Sequence, residues 1–287
     1  MPITTKAGYR VIDTHVHVWP LDDAPGHRPV PGAKVRAPEK AAPVEWLVED
    51  MEEFGMEHQV LVQSSAFGWD NTYMVECLDK YPGKFKAIGL VDPESPTNAR
   101  DLESWMARGL SGFRFHPLYY DKEPRGPWWV DAKENEALWD AANQTGAIMQ
   151  FHMWPKHATA LARMIERHPD VRVIVDHIGK PDVTEPAPYP SFDPVLKLAD
   201  YTNVYAKIGD YQIASKQQYP WRDTWPFVRL LADRFGARRM MWGTGYPRTA
   251  RLVPLEQALR FIQEDLPLSD DERRQILWDT PKQLFGF

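Results

Sequence analysis

The chain has 287 residues, a net charge of −6 at pH 7, and 43% hydrophobic residues. That length suits one large α/β domain, residues 1–287, with a full core. The acidic balance argues against nucleic acid as a partner, and no apolar run approaches a membrane span.

The first ten residues contain no apolar signal core, so a cytoplasmic location is expected. A small-molecule substrate is the expected partner, and homo-oligomerisation stays open. The single cysteine, Cys77, excludes an internal disulfide and reads as a core or half-buried thiol.

In chain order, eight short runs rich in β-branched and aromatic residues alternate with longer stretches of helical period. The runs are YRVIDTH, HQVLVQSS, KAIGLVD, SGFRFHP, AIMQFHM, VRVIVDHIG, NVYAKIGD and RMMWGTGYP, and each predicts a buried strand. Helices are predicted over 43–55, 72–83, 98–109, 134–146, 157–170, 225–236, 254–265 and 269–285. Several end near glycine, and Ser269 with Glu272 forms a capping-box signature. Two long Pro-rich loops follow strand ends, at 20–43 and 180–192.

Repeated strand–helix units imply parallel strands with right-handed crossovers, and eight of them close a (β/α)8 barrel. A doubly wound sheet would usually carry a glycine-rich phosphate turn after the first strand, and DTHVHVW has none.

Five of the nine histidines fall at strand ends: His15, His17, His116, His152 and His177. Strand side chains alternate with period two, so His15 and His17 point the same way, with Asp13 one layer deeper. Imidazole is the commonest metal ligand and a general base suited to neutral pH. Convergence of four or five such groups at a barrel mouth is harder to attribute to packing than any single one. His27, His58, His157 and His168 are assigned no role.

The stretches VIDTHVHVW, GFRFHP, QFHM, VIVDHIGKP and MMWGTGYP resemble the amidohydrolase superfamily. The nearer likeness is to the amidohydrolase-2 branch, which includes 2-pyrone-4,6-dicarboxylate lactonases and related decarboxylases. The resemblance covers nearly the whole chain and implies a (β/α)8 barrel. It implies that His15 and His17 are the first metal-ligand pair, that His152 is the strand-five ligand, and that His177 is the strand-six catalytic histidine. Arg114 matches a position that binds a substrate carboxylate. A divalent metal, Zn²⁺ or Mn²⁺, is implied, with metal-free function as the alternative.

The family's strand-eight Asp, which ligates metal and takes the proton of the attacking water, is replaced by Gly245. Three readings follow: an inactivating substitution, a base supplied from elsewhere, or a barrel retained as a non-catalytic subunit. Asp210 after strand seven is the first candidate for the displaced base and Asp176 the second.

Around the strand ends lie the cations Arg114, Lys180, Lys207 and Arg248. The aromatics Trp19, Trp69, Trp154, Tyr205, Tyr211 and Tyr246 also lie there. Of these, Arg114, Lys207, Trp19 and Tyr211, together with His116, are the candidate substrate contacts. The leading expectation is hydrolysis of a small lactone or related carboxylate-bearing acyl compound. Metal-dependent decarboxylation of an aromatic acid and a non-catalytic role are the alternatives.

Overall fold

The computed structural model describes residues 8–20, 29–30, 41–247 and 252–287. Its sheet contains β1 (Ile12–Val16), β2 (His58–Val62), β3 (Phe85–Gly89), β4 (Gly112–Phe115), β5 (Ile148–Phe151), β6 (Val173–Val175), β7 (Val204–Ile208) and β8 (Met240–Trp242). They pair in parallel in chain order, 1 to 8. Each of the eight predicted runs matches one of these strands, with β1 and β3 each extending one residue beyond its run, and the architecture is the expected α/β barrel.

Contacts at the mouth close the β1/β8 seam. The Thr14 hydroxyl donates to the Trp242 carbonyl at 2.7 Å, the His17 N–H to the Tyr246 carbonyl and the Gly245 N–H to the His15 carbonyl, both at 2.7 Å. The Asp13 carboxylate, fully buried, accepts from the Thr244 N–H (3.0 Å), the Thr244 hydroxyl (2.6 Å) and the His15 N–H (3.0 Å). Gly243 lets the two strands approach: a Cβ there would lie 2.5 Å from the His15 Cβ.

The helical layer comprises α1 (Val44–Phe54), α2 (Thr72–Lys80), α3 (Asn98–Ala107), α4 (Glu136–Thr145), α5 (Ala158–Arg167), α6 (Asp193–Lys197), α7 (Tyr211–Ala214), α8 (Trp225–Phe235), α9 (Leu255–Arg260), α10 (Asp270–Arg274) and α11 (Thr280–Phe285). The stops follow the sequence signals. Gly55 is left-handed (φ 68°), with its N–H returned to the Met51 carbonyl, and the Ser269–Glu272 capping box is formed.

The crossover after β6 departs from expectation. It carries the short α6 and a 3₁₀ turn, Leu198–Asp200, just beyond the predicted loop at 180–192, where no element is predicted. Of the final two predicted helices, the first ends in a π turn, Phe261–Asp265, and the second is interrupted by one, Gln275–Asp279.

One apolar cluster fills the space between sheet and helices, and a second lies inside the barrel. The inner cluster joins Val60, Val62, Ile88, Ile148, Ile174 and Met241, closed at the N-terminal end by Leu284 and Phe285. Tyr205 packs against it. Its β7 position faces the lower interior, so it serves packing. Cys77 is a buried free thiol. No described helix is long and apolar enough to cross a membrane. Arg248 and most of the loop at 20–43 lie outside the described residues.

Candidate active site

The strands that are apolar inside at their lower ends turn polar two residues further on. β5 runs Ile148, Gln150, His152 on one face, β6 runs Ile174, Asp176, and β7 runs Tyr205, Lys207. With Asp13 and His15 from β1 and Arg114 from β4, these side chains form a polar layer above the apolar plug.

His177 leaves the strand period. Asp176 is extended (φ −78°, ψ 154°), but His177, Ile178, Gly179 and Lys180 are all left-handed, with φ of 49°, 51°, 68° and 50°. Each non-glycine residue so held costs about 1–3 kcal/mol, and the surrounding packing must hold it. The Gly179 and Lys180 N–H groups bond the Asp176 and His177 carbonyls at 2.9 and 3.1 Å. Gly179 lies so close to Val195 of α6 and to Phe192 that a Cβ would approach them to 2.8 and 3.0 Å. The helix that sequence reasoning missed is thus the support of the turn that presents His177.

The histidine rings form one arc. Ring centroids are 4.9 Å apart for His17–His15, 4.5 Å for His15–His177, 5.0 Å for His177–His152 and 5.6 Å for His152–His116. His116 stacks on Tyr119 at 4.8 Å. His17 Nδ1 donates to the Val62 carbonyl at 2.7 Å, which fixes the tautomer with the lone pair on Nε2. Burial lowers the pKa of His15, His116 and His152 well below the ordinary range, and nearby cations add to the effect. Burial also pushes His177 down to about 4, against the opposing carboxylates of Asp210 and Asp176. These four rings are neutral at pH 7 and act as ligands, donors or bases, not as cations.

Asp176 is the electrostatic centre. Its Oδ2 accepts from Arg114 Nε at 2.7 Å and Gln150 Nε2 at 3.0 Å. Its Oδ1 lies 3.6 Å from Lys207 Nζ and 3.7 Å from His15 Nδ1. Burial alone would raise its pKa, but Arg114, Lys207 and His177 more than offset this and hold it well below the usual range. Lys207 is fully buried and donates to the Thr14 carbonyl and to Gln150 Oε1, both at 2.9 Å. Burial lowers its pKa to about 8, opposed by Asp176. The structure thus places Lys207 beneath the mouth as a buried partner of Asp176. Arg114 also donates to His177 Nε2 at 2.8 Å, so the His177 proton sits on Nδ1, which faces Asp210 Oδ2 at 3.5 Å.

The structure brings Asp210 to the arc from β7, on a left-handed residue (φ 56°) that begins α7. Gly245 (φ 71°) serves the seam through its N–H. Trp19 bridges Ala42 and stacks over Phe67 at 6.1 Å, and Tyr211 is buried in the neighbouring cleft. Trp154 is exposed at the rim beneath the Lys180 ammonium. Sequence reasoning passed over Gln150, although its shared parity with His152 was legible.

His15 and Asp176 offer lone pairs to a divalent cation, and His177, which accepts from Arg114 on Nε2 and carries its proton on Nδ1, would join them with that proton shifted to Nε2 and Arg114 released. His15, Asp176 and His177 offer ligand atoms within 4.8 Å of one another. Both His15 nitrogens, His177 Nδ1 and Asp176 Oδ1 are buried without a hydrogen-bond partner among the described residues. The set expected from sequence was His15, His17 and His152. In the structure His17 and His152 flank the compact triad, one on each side of it.

An amidohydrolase family model, Amidohydro_2, matches residues 12–287. The 4-sulfomuconolactone hydrolase of Hydrogenophaga intermedia is 24% identical over 279 residues, covering 96% of this chain and 88% of the relative. The L-fucono-1,5-lactonase of Burkholderia ambifaria is 24% identical over 242 residues, covering 82% and 80%. The crystal structure of a probable 2-pyrone-4,6-dicarboxylic acid hydrolase from Acinetobacter baumannii, with citric acid bound, superposes with a TM-score of 0.82 at 21% identity. That match covers 97% of this chain and 100% of the other.

Proposed function

Because the chain belongs to the amidohydrolase family, we propose that it hydrolyses a small lactone bearing a carboxylate. The observation that carries this reading is the arc of neutral, buried imidazoles beside the Asp176–Arg114 pair. The lactone hydrolases among its relatives support the substrate class.

The chemistry follows from the geometry. Water adds to the lactone carbonyl carbon while Asp210 takes its proton, with the His177 Nδ1–H facing the Asp210 carboxylate at 3.5 Å. The N–H groups of His15 and His152 have no hydrogen-bond partners among the described residues and donate to the carbonyl oxygen as it becomes an oxyanion. The ring C–O bond then breaks, and the leaving alkoxide takes the proton back from Asp210, giving a hydroxy acid. Arg114 meets the substrate carboxylate with the nitrogen that Asp176 and His177 leave over. His15 and Asp176 would hold a divalent cation, joined by His177 once its proton shifts to Nε2, and this set suits Zn²⁺ better than the oxygen-preferring Mn²⁺. When bound, it supplies Lewis-acid polarisation of the carbonyl.

The test is acid release from a panel of lactone carboxylates. Asp210→Asn is expected to lower kcat by about 10²–10⁴-fold with the fold intact. Undiminished turnover by that variant overturns the assignment of the base, and a panel without turnover by the unmodified protein overturns the reading.

A further inference from the structure

Beside the arc, a cleft runs between the segments that follow β7 and β8. Asp210, Gln212 and Thr244 line it together with Tyr211, Trp221 and Phe261. The lining is therefore two-sided. Its polar residues include Asp210, which lies 3.5 Å from His177. Its apolar part is an aromatic cluster in which Phe261 meets Tyr211 at 4.9 Å and Trp221 at 4.8 Å, both edge-on, joined by the aliphatic walls Val253 and Ala258. Apolar exposure continues at its edge: Ile213, beside Gln212, is 39% exposed, and Leu252, beside Val253, is 63% exposed. The Tyr211 hydroxyl, on a residue only 4% exposed, has no hydrogen-bond partner among the described residues. A buried hydroxyl left unpaired is costly unless a ligand meets it.

We infer that this cleft is a specificity subsite for an apolar substituent, alkyl or aryl, carried by the lactone ring, with the Tyr211 hydroxyl meeting a single polar atom in that substituent. The inference rests on the hydrolase reading and sharpens it. Asp210 belongs both to the cleft and to the arc, so a substrate reacting beside His177 extends its side chain directly into the aromatic end. Aromatic and aliphatic walls with one polar atom are the ordinary lining of a small-molecule site. Such walls reward added methylenes and offer little to a second charge.

The experiment is a series of γ-lactone carboxylates whose ring substituent grows from methyl to hexyl. In the unmodified protein kcat/KM is expected to rise about two- to fourfold per added methylene until the cleft is filled. Ala258→Phe, which fills the cleft, should bring the hexyl-to-methyl ratio towards one. Tyr211→Phe keeps the ring, so it should preserve the length dependence but erase any preference for a chain interrupted by one ether oxygen. A flat series in the unmodified protein overturns the subsite. If no lactone of the series turns over, the hydrolase reading fails by itself. The cleft is then decided by tryptophan-fluorescence titration with matching alkylcyclopentanones. Affinity rising with chain length, and lost in Ala258→Phe, supports the subsite; equal affinities along that series overturn it.

Discussion

The two ends of the barrel interior are built from the same strands and oppose each other in character. The lower end holds Val60, Ile88, Ile148, Ile174 and Met241, sealed by Leu284 and Phe285. The upper end, one side-chain layer away, holds Asp13, His15, Arg114, Gln150, Asp176 and Lys207, all buried. The lower plug lowers its free energy by removing hydrocarbon from water. The upper layer must satisfy each buried polar atom or leave it for a ligand. Its unsatisfied atoms cluster on His15, His152, His177 and Asp176, where the proposed chemistry needs them. Stability and reactivity are separated along the barrel axis, so substitutions in the two layers should give opposite signatures.

The largest effect is expected from Arg114→Met. It leaves Asp176 with Lys207 as its sole neighbouring Lys or Arg among the described residues, and it strips His177 of its orienting donor. Breaking such a buried pair costs about 3–5 kcal/mol, and activity should fall with it. Denaturant unfolding beside a lactonase assay reads both, and an unfolding midpoint equal to that of the parent would deny Asp176 its central place.

Ile174→Ala, two residues below Asp176, should cost about 2–5 kcal/mol of stability. It should nevertheless leave kcat/KM of the surviving folded protein close to the parent value. A large loss of kcat/KM in the folded fraction would show that the plug is coupled to the site.

Gly243→Ala probes the seam that aligns the two layers. Its methyl group meets His15 at 2.5 Å, and such overpacking costs about 1–3 kcal/mol. Metal content measured by elemental analysis should fall as His15 is displaced; full metal content at reduced stability would confine the damage to the backbone.

The smallest effect is a slope. The folded pKa of Lys207 is lowered to about 8 from 10.5, so between those values the unfolded chain binds more protons than the folded one. This group therefore makes stability rise with pH across that window and contributes no slope below it. Lys207→Met should flatten the rise, and an unaltered profile would assign the slope to other groups.

Some of this was legible before any coordinates. The eight strands stand out because buried parallel strands need β-branched and aromatic runs, and Ser269 and Gly55 mark helix ends through local hydrogen bonding. The period-two rule places His15 with Asp13, and His152 at the barrel mouth. The short α6 was hidden because five residues after a Pro-rich loop carry no helical period. The roles of Lys207 and Tyr205 were hidden because the sequence shows that both lie on β7 but not which layer each one reaches.

The amino-acid order by itself determined the barrel, its family likeness, and which residue types gather at one rim, since strand period and helix caps are local properties of the chain. Tertiary structure alone decided the rest. It set Arg114 and Lys207 on Asp176, coiled His177 through a left-handed turn over α6, and carried Asp210 to within 3.5 Å of that ring. These are contacts between residues far apart in sequence or across a strained turn. Their energies depend on burial and distance, which exist only once the strands have closed.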